Sequence, residues 1–564
     1  MQLKGRLPTI WAYLQVIATV NSFPLARQEP HPAQTPVVHL RNGTLAGVYH
    51  PEYRQDFFLG IPFAEAPVGN RRFQKPVPPE AWNGVRTADT YGPSCFGNSL
   101  GLQGFSQNDT GDMSENCLYI NVIRPADSPP IGKLPVLAWI YGGDWEEGSA
   151  SDQRYNGSFL VQTSVKMGSP VIFVSFNYRL GLFGLLAGRT VEQEGLTNLL
   201  LYDQRQALKW VQENIGDFGG DATRVTLMGE SSGAGSIGFH LLAYGGHDDG
   251  LFHAAIAESG GPFSAYAFPN ASQREEKFET LLNITGCAKA TDSLDCLRTI
   301  PAELVNRASL QVQFYFTVDG DLLPDRNSRL LQSGKFLKVP LIIGINRNEG
   351  TSMILSSMPS PINSDVDFLN FMKGAIGDYP VPESVLRNWT TFYQEEIDNP
   401  SVAGLGTVLA DPGPNFDSQY GKTTLWFGDL LLGAGRRFTS QIWADNDVPC
   451  YSYFFDTVPA SLDAETLGVA HAQEIPFVFG NKDGVGWDVD PFPADPGMKA
   501  KYNTIANLMS RMWISFAVRK SPNYNGGKCM LRLLVVYNLA FVSLPRFLHL
   551  IQVYYKTTQG SVLC

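Results

Sequence analysis

Between about residue 37 and about residue 523, short apolar runs alternate with longer stretches of helical periodicity. Four runs are apolar nearly throughout: Leu134–Tyr141 (LPVLAWIY), Val171–Tyr178 (VIFVSFNY), Val225–Met228 (VTLM) and Pro340–Ile345 (PLIIGI). A strand wetted on one face alternates apolar and polar residues. A run without that alternation fits a strand covered on both faces, as in a parallel sheet. Leu201–Ile215 reads as a helix, with Leu201, Leu208, Val211 and Ile215 near one face and Gly216 placed to end it. Strands alternating with helices predict an α/β architecture with a large, mostly parallel central sheet and helices on both faces. No internal repeat and no long low-complexity linker interrupts the texture.

Composition narrows the partners. The chain has 564 residues, 44% of them hydrophobic and 17% charged, enough to bury a large core. Its net charge of −11 argues against a nucleic-acid partner, which calls for a basic patch. Residues 1–22 read as a signal peptide, with Lys4 and Arg6 ahead of the apolar stretch Ile10–Val20, which is too short to span a bilayer. Six N-x-S/T sequons (Asn42, Asn108, Asn156, Asn270, Asn283, Asn388) and seven cysteines agree with an extracellular destination. The cysteine spacings match no zinc pattern, and no metal is expected. Residues 527–564 differ in texture: Arg532, Pro545 and Arg546 break the apolar run, so no membrane span is expected. Gly527-Lys528-Cys529 fits a splice-donor-like codon string, and the tail is read as a gene-model artefact.

Gly229-Glu230-Ser231-Ser232-Gly233 is a G-x-S-x-G pentad. A serine on a very sharp strand-to-helix turn exposes its hydroxyl, and the flanking glycines relieve the crowding. The pentad alone is weak, because Gly97-Asn98-Ser99-Leu100-Gly101 matches it too. VTLM leads into the first, and a small-residue apolar stretch, Ala234–Leu242, follows. No strand precedes the second, so Ser99 is read as loop.

Acyl transfer needs donors aimed at the developing oxyanion. The Ser232 amide is one. The turn Tyr141-Gly142-Gly143-Asp144-Trp145, directly after a buried strand, is placed to give the others from Gly143 and Asp144. The serine then needs a base, and the base an orienting acid, in the chain order Ser, acid, His. Of the histidines after Ser231, His240, His247 and His253 crowd it too closely to leave room for an acid, and His549 lies in the odd tail. That leaves His471. Glu349, in the turn after PLIIGI, is the acid candidate between them.

These residues resemble the type-B carboxylesterase/lipase family, over about residues 37–523. The resemblance rests on GIPFAEAPVGNRRF (Gly60–Phe73), SENCLYINV (Ser114–Val122), WIYGG (Trp139–Gly143), NYRLGLFG (Asn177–Gly184), DQRQALKWVQENIGDFGGD (Asp203–Asp221), GESSGAG, INRNEGT (Ile345–Thr351) and HAQEIPFVFG (His471–Gly480), in the family's order. It implies the α/β-hydrolase fold, serine ester hydrolysis, and Ser231, Glu349 and His471 as nucleophile, acid and base. It also implies Cys95–Cys117 and Cys287–Cys296 disulfides. Cys450, Cys529 and Cys564 are left over, with Cys450 a buried free thiol by default.

The departures carry information. The family usually has three glycines at the oxyanion turn. Asp144 takes the third place here, and its side chain is expected to point away from the developing charge. The 21 residues between Cys95 and Cys117 are mostly polar and Gly-rich, which favours soluble esters over an oil interface. No tryptophan lies among them, which argues against choline esters.

The implied chemistry needs no cofactor: an acyl-enzyme forms on Ser231 from a small-molecule or lipid-like ester, and water then releases it. His471 must be neutral, so the rate is expected to fall below its ordinary pKa of about 6.5. Three rival readings stay open: an adhesion-type relative without catalysis, a lipase with a compact lid, and a product left inert by its tail. The first is opposed by the presence of all three triad residues.

Overall fold

Nine strands form the main sheet: β1 (Val48–His50), β2 (Gln55–Pro62), β3 (Tyr119–Pro125), β4 (Leu134–Ile140), β5 (Ile172–Phe176), β6 (Gly220–Glu230), β7 (Ala254–Glu258), β8 (Leu341–Asn346) and β9 (Cys450–Phe455). Their order is β9-β8-β7-β6-β4-β5-β3-β2-β1. The pairings from β9 through to β5 are parallel, and β3, β2 and β1 are added by antiparallel pairs. The architecture is the α/β-hydrolase fold: a large, mostly parallel sheet surrounded by helices. The computed structural model describes residues 35–525 except 106–111, 127–132, 265, 358–360, 378 and 399–403. The signal-peptide segment 1–22, the tail 527–564 with Cys529 and Cys564, and the sequon at Asn108 lie outside the described residues.

Burial explains why the runs lack alternation. Every residue of β4, β5, β7 and β8 is buried, and β6 is buried from Val225 to Glu230. Helix α1 (Leu199–Asn214) begins two residues earlier than its periodicity suggests. Gly216 does not stop it. The chain tightens into a 3₁₀ turn over Ile215–Phe218, and Gly219 ends that turn at φ 85°. Gly216 keeps an ordinary φ, so the left-handed residue that a helix end favours comes three positions later than expected.

The parallel register brings the carboxyl ends of β4, β6, β7 and β8 to one edge, where an α/β sheet gathers its ligand site. Helix α2 (Ser232–Leu242) leaves β6 there, and α3 (Glu349–Ser357) follows β8. Two disulfides close loops, Cys95–Cys117 and Cys287–Cys296, and Cys450 is a buried free thiol on β9. Burial pushes that thiol up to about 12, so it is no nucleophile at neutral pH. Asn270, Asn283 and Asn388 are exposed and Asn156 is half-buried, whereas the Asn42 side-chain amide donates to the Pro79 carbonyl. No helix among the described residues is long and apolar enough to cross a membrane.

Candidate active site

Ser231 sits between β6 and α2 at φ 56°, ψ −124°, a conformation that non-glycine residues hold only when their surroundings force it. The neighbours supply that force. A Cβ on Gly229 would stand 2.7 Å from the Ile140 carbonyl oxygen, and one on Gly233 would collide with the same oxygen. The Ser231 amide donates to the Glu258 carbonyl at the end of β7, at 2.8 Å. Glycines thus let β4 press against the turn, and the sheet edge pins the serine.

Two other strand ends supply its partners. Ser231 Oγ is 2.7 Å from His471 Nε2, and His471 Nδ1 is 2.6 Å from Glu349 Oε2. With the Nδ1 proton donated to Glu349, Nε2 is free to accept from the serine hydroxyl. Glu349 Oε1 accepts from the Asn346 amide and from Ser259 Oγ, each at 2.6 Å. The carboxylate is therefore held by a strand end on one side and a hydroxyl on the other. Asn346 also donates through its side chain to Ala470 O at 2.9 Å, tying β8 to the loop that carries His471.

Further acids surround this chain of bonds. Glu230 is fully buried, with Oε1 3.2 Å from His471 Nε2, yet neither oxygen accepts a hydrogen bond from the described residues. Desolvation pushes its carboxyl well above the usual range, against the charge of His471. Glu474 accepts from Asn346 Nδ2 at 2.6 Å, and Glu258 from Trp513 Nε1 at 2.8 Å. Burial raises both carboxyls. For His471, burial alone would lower the pKa. The charges of Glu230 and Glu349, and the hydrogen bond to Glu349, outweigh it and hold the imidazole above its ordinary value. The two shifts bear on one another, because a protonated Glu230 no longer holds His471 up. Glu349, through its charge and its hydrogen bond, and Glu474 are the other groups that raise it. The imidazole thus takes up its proton above the 6.5 of an unperturbed histidine.

The oxyanion turn lies against the same elbow. A Cβ on Gly142 would come 2.9 Å from Ser231 Cβ, and the Trp145 amide donates to Ser232 Oγ at 3.2 Å. Gly143, Asp144 and Trp145 all have positive φ, at 94°, 49° and 58°. The Gly143 and Asp144 amides donate to no acceptor among the described residues, which leaves them available to a ligand. Asp144 is exposed while its neighbours from Leu134 to Ala150 are buried. Solvent reaches it, yet protein is dense around its carboxyl. Desolvation there pushes its carboxyl up to about 6, with the charge of His471 opposing.

Ser99 stands apart from all of this. It is exposed, in a stretch with no strand or helix, and its Oγ accepts from Gly101 N at 3.3 Å. Sequence patterns did not single out Ser259, Asn346, Glu258 or Glu474. Glu230 carries a signal in retrospect, as the variable residue inside the pentad, and Glu474 follows His471 by three positions. Ser259 and Glu258 lie at a strand end that nothing in the local sequence marks.

The arrangement can activate a hydroxyl and stabilise the imidazolium that results. The carboxylesterase family model matches residues 34–535. Lipase 2 of Geotrichum candidum is 32% identical over 558 residues, covering 90% of this chain and 90% of that protein. Acetylcholinesterase of Electrophorus electricus is 32% identical over 508 residues, covering 83% of this chain and 77% of that protein. Among solved structures, the crystal structure of Aspergillus niger EstA superposes with a TM-score of 0.72 at 31% identity, over 87% of this chain and 89% of that one.

Proposed function

The chain belongs to the carboxylesterase family and is a carboxylic ester hydrolase, and from that premise we propose that it is a secreted serine esterase working through an acyl-enzyme on Ser231. His471 Nε2 takes the proton from Ser231 as Oγ attacks the ester carbonyl. The amides of Gly143, Asp144 and Ser232 hold the oxyanion. The intermediate collapses, the alcohol leaves with the proton from His471, and an acyl group remains on Ser231. Water then attacks with His471 as base, and the acid is released. Glu349 keeps the Nδ1 proton in place and stabilises the imidazolium.

One observation carries this reading: the hydrogen-bonded series Ser231–His471–Glu349, at 2.7 and 2.6 Å, built on a serine held at φ 56°. Labelling the folded protein with a fluorophosphonate probe and mapping the modified peptide tests it. The label is expected on Ser231. A label on another serine, or none at all, overturns the assignment.

Soluble short-chain esters are the favoured substrates. The loop between Cys95 and Cys117 is short, and it is tied down beside the site: Gln473 Nε2 donates to Gly104 O at 2.9 Å, and Arg154 to Phe105 O. A lid that must swing open at an oil surface is ill served by such clamps. The similarity to Lipase 2 supports a second reading, hydrolysis of emulsified triglyceride. Rates on tributyrin below its solubility limit and on emulsified long-chain triglyceride separate the two. Export is supported by the two disulfides and the N-terminal pattern, and amino-terminal sequencing of protein from the medium tests it.

A further inference from the structure

Asp144 lends the proposed mechanism its backbone amide and leaves its carboxylate unused. Its backbone sits at φ 49°, where glycine is unstrained and aspartate is merely tolerated. A side chain is therefore kept at a position whose backbone favours none.

The surroundings leave that carboxylate without a partner. Among the described residues no hydrogen bond or ion pair reaches it. The nearest phenols are committed elsewhere: Tyr266 OH donates to Gly261 O and Tyr315 OH to Gln313 Oε1, at 2.7 and 2.8 Å. Both tyrosines are half-buried, and both feel its charge. The remaining ionisable groups that interact with it are His471 and Glu146, and burial pushes the Glu146 carboxyl up to about 8, so that it is largely uncharged at pH 7. Behind it, Trp145 packs on Tyr266 and Phe316 with ring centroids 5.9 and 4.8 Å apart. An unpaired carboxylate against aromatic walls is chemistry that attracts cations. Its place is fixed by its neighbours, since Gly142 abuts Ser231 and Trp145 bonds Ser232.

We propose that Asp144 is a specificity-determining residue, selecting esters that carry an ammonium group on the carbon next to the scissile carbonyl and rejecting those that carry a carboxylate there. The inference rests on the reading of Ser231 as nucleophile, because that reading locates the carbonyl beside Gly143. Recognition is by charge: the ammonium of an α-amino ester faces Asp144, whereas an anionic acyl group meets a like charge there.

The test compares kcat/KM for glycine ethyl ester, ethyl propionate and monoethyl malonate at pH 7, in the wild type and in Asp144→Asn, Asp144→Glu and Ser231→Ala. Asparagine tolerates positive φ, so the turn is preserved. Ratios between variant and wild type cancel the intrinsic reactivity of each ester. Asp144→Asn is expected to lower the glycine-to-propionate ratio by on the order of tenfold and to raise the malonate-to-propionate ratio. Asp144→Glu is expected to keep the preference for the cation. If Asp144→Asn leaves both ratios as they were, or slows all three esters by one common factor, the inference is wrong. Ser231→Ala keeps the two questions apart: if it still hydrolyses ethyl propionate, the nucleophile has been misread, whatever the ratios do.

Discussion

Two pentads in this chain share the pattern Gly-x-Ser-x-Gly, and their surroundings separate them. Gly229–Gly233 joins a buried strand end to a buried helix start, and its serine is bent to φ 56° with an imidazole 2.7 Å away. Gly97–Gly101 passes from half-buried to exposed chain without a strand or helix, and its exposed serine bonds only its own neighbour, Gly101 N. A pentad permits a sharp turn, but the tertiary structure must impose one. The strand before, the helix after and the carbonyl of Ile140 pressing on Gly233 impose it at Ser231. At Ser99 the Glu146 carbonyl presses on Gly97, but no strand precedes the serine and no helix follows it.

The largest expected effect breaks the comparison open. Ser231→Ala should lower kcat by about 10⁴-fold or more, whereas Ser99→Ala should change it less than about twofold. Steady-state hydrolysis of a soluble ester by both variants checks this. A slow Ser99→Ala beside an active Ser231→Ala reverses the assignment. Next comes Glu349→Gln, which keeps the shape but removes the charge that holds His471 in its working tautomer. A loss of about 10³- to 10⁴-fold in kcat is expected, with KM little changed. Should the loss fall below about tenfold, Glu349 is not the orienting acid.

The glycines sharpen the same contrast in stability. A methyl on Gly233 meets a backbone oxygen that cannot move without shifting β4, so Gly233→Ala should destabilise by about 2–4 kcal/mol. Gly101 has φ 64° and open space around it, so Gly101→Ala should lose only the backbone preference, about 1 kcal/mol. Urea denaturation of both variants measures the difference. Equal losses would mean that the elbow is not under the pressure described.

How far the sequence discloses all this depends on the kind of constraint. The buried strands were legible because cover on both faces removes the polar alternation, as in LPVLAWI and PLIIGI. The edges were not. β1 is three residues (VYH) without an apolar run, and the end of α1 is set by Gly219 rather than by the nearer Gly216. In the site, Ser231, Glu349 and His471 were reachable from a turn motif and a required chain order. Ser259 and Asn346, which brace Glu349 and the His471 loop, were invisible because their role comes from the register of β7 against β8. Glu230 fills the unspecified position of the pentad, so the pattern attaches no role to it, although it lies 3.2 Å from His471 Nε2.

Glu230 also carries the smallest expected effect, and the one that most directly weighs the interior of the working pentad. In the proposed mechanism His471 acts as base in its neutral form, so activity is expected above its pKa and is lost as the pH falls through it. Charge on Glu230 favours the imidazolium and raises that pKa, as does charge on Glu349. Glu230→Gln removes the first influence and leaves the bond to Glu349 intact. The acid limb of kcat/KM should therefore move to lower pH by about one unit, which is about 1.4 kcal/mol of lost support for the cation. A pH profile of the variant on a neutral ester reads this directly. A limb that stays in place shows Glu230 already neutral at that pH, with Glu349 and Glu474 holding the imidazole up. A limb that moves to higher pH contradicts the sign of the interaction. In the other pentad the corresponding residue is Asn98, whose side-chain amide donates to Ser309 Oγ at 2.6 Å. Asn98→Ala should leave the same profile where it was.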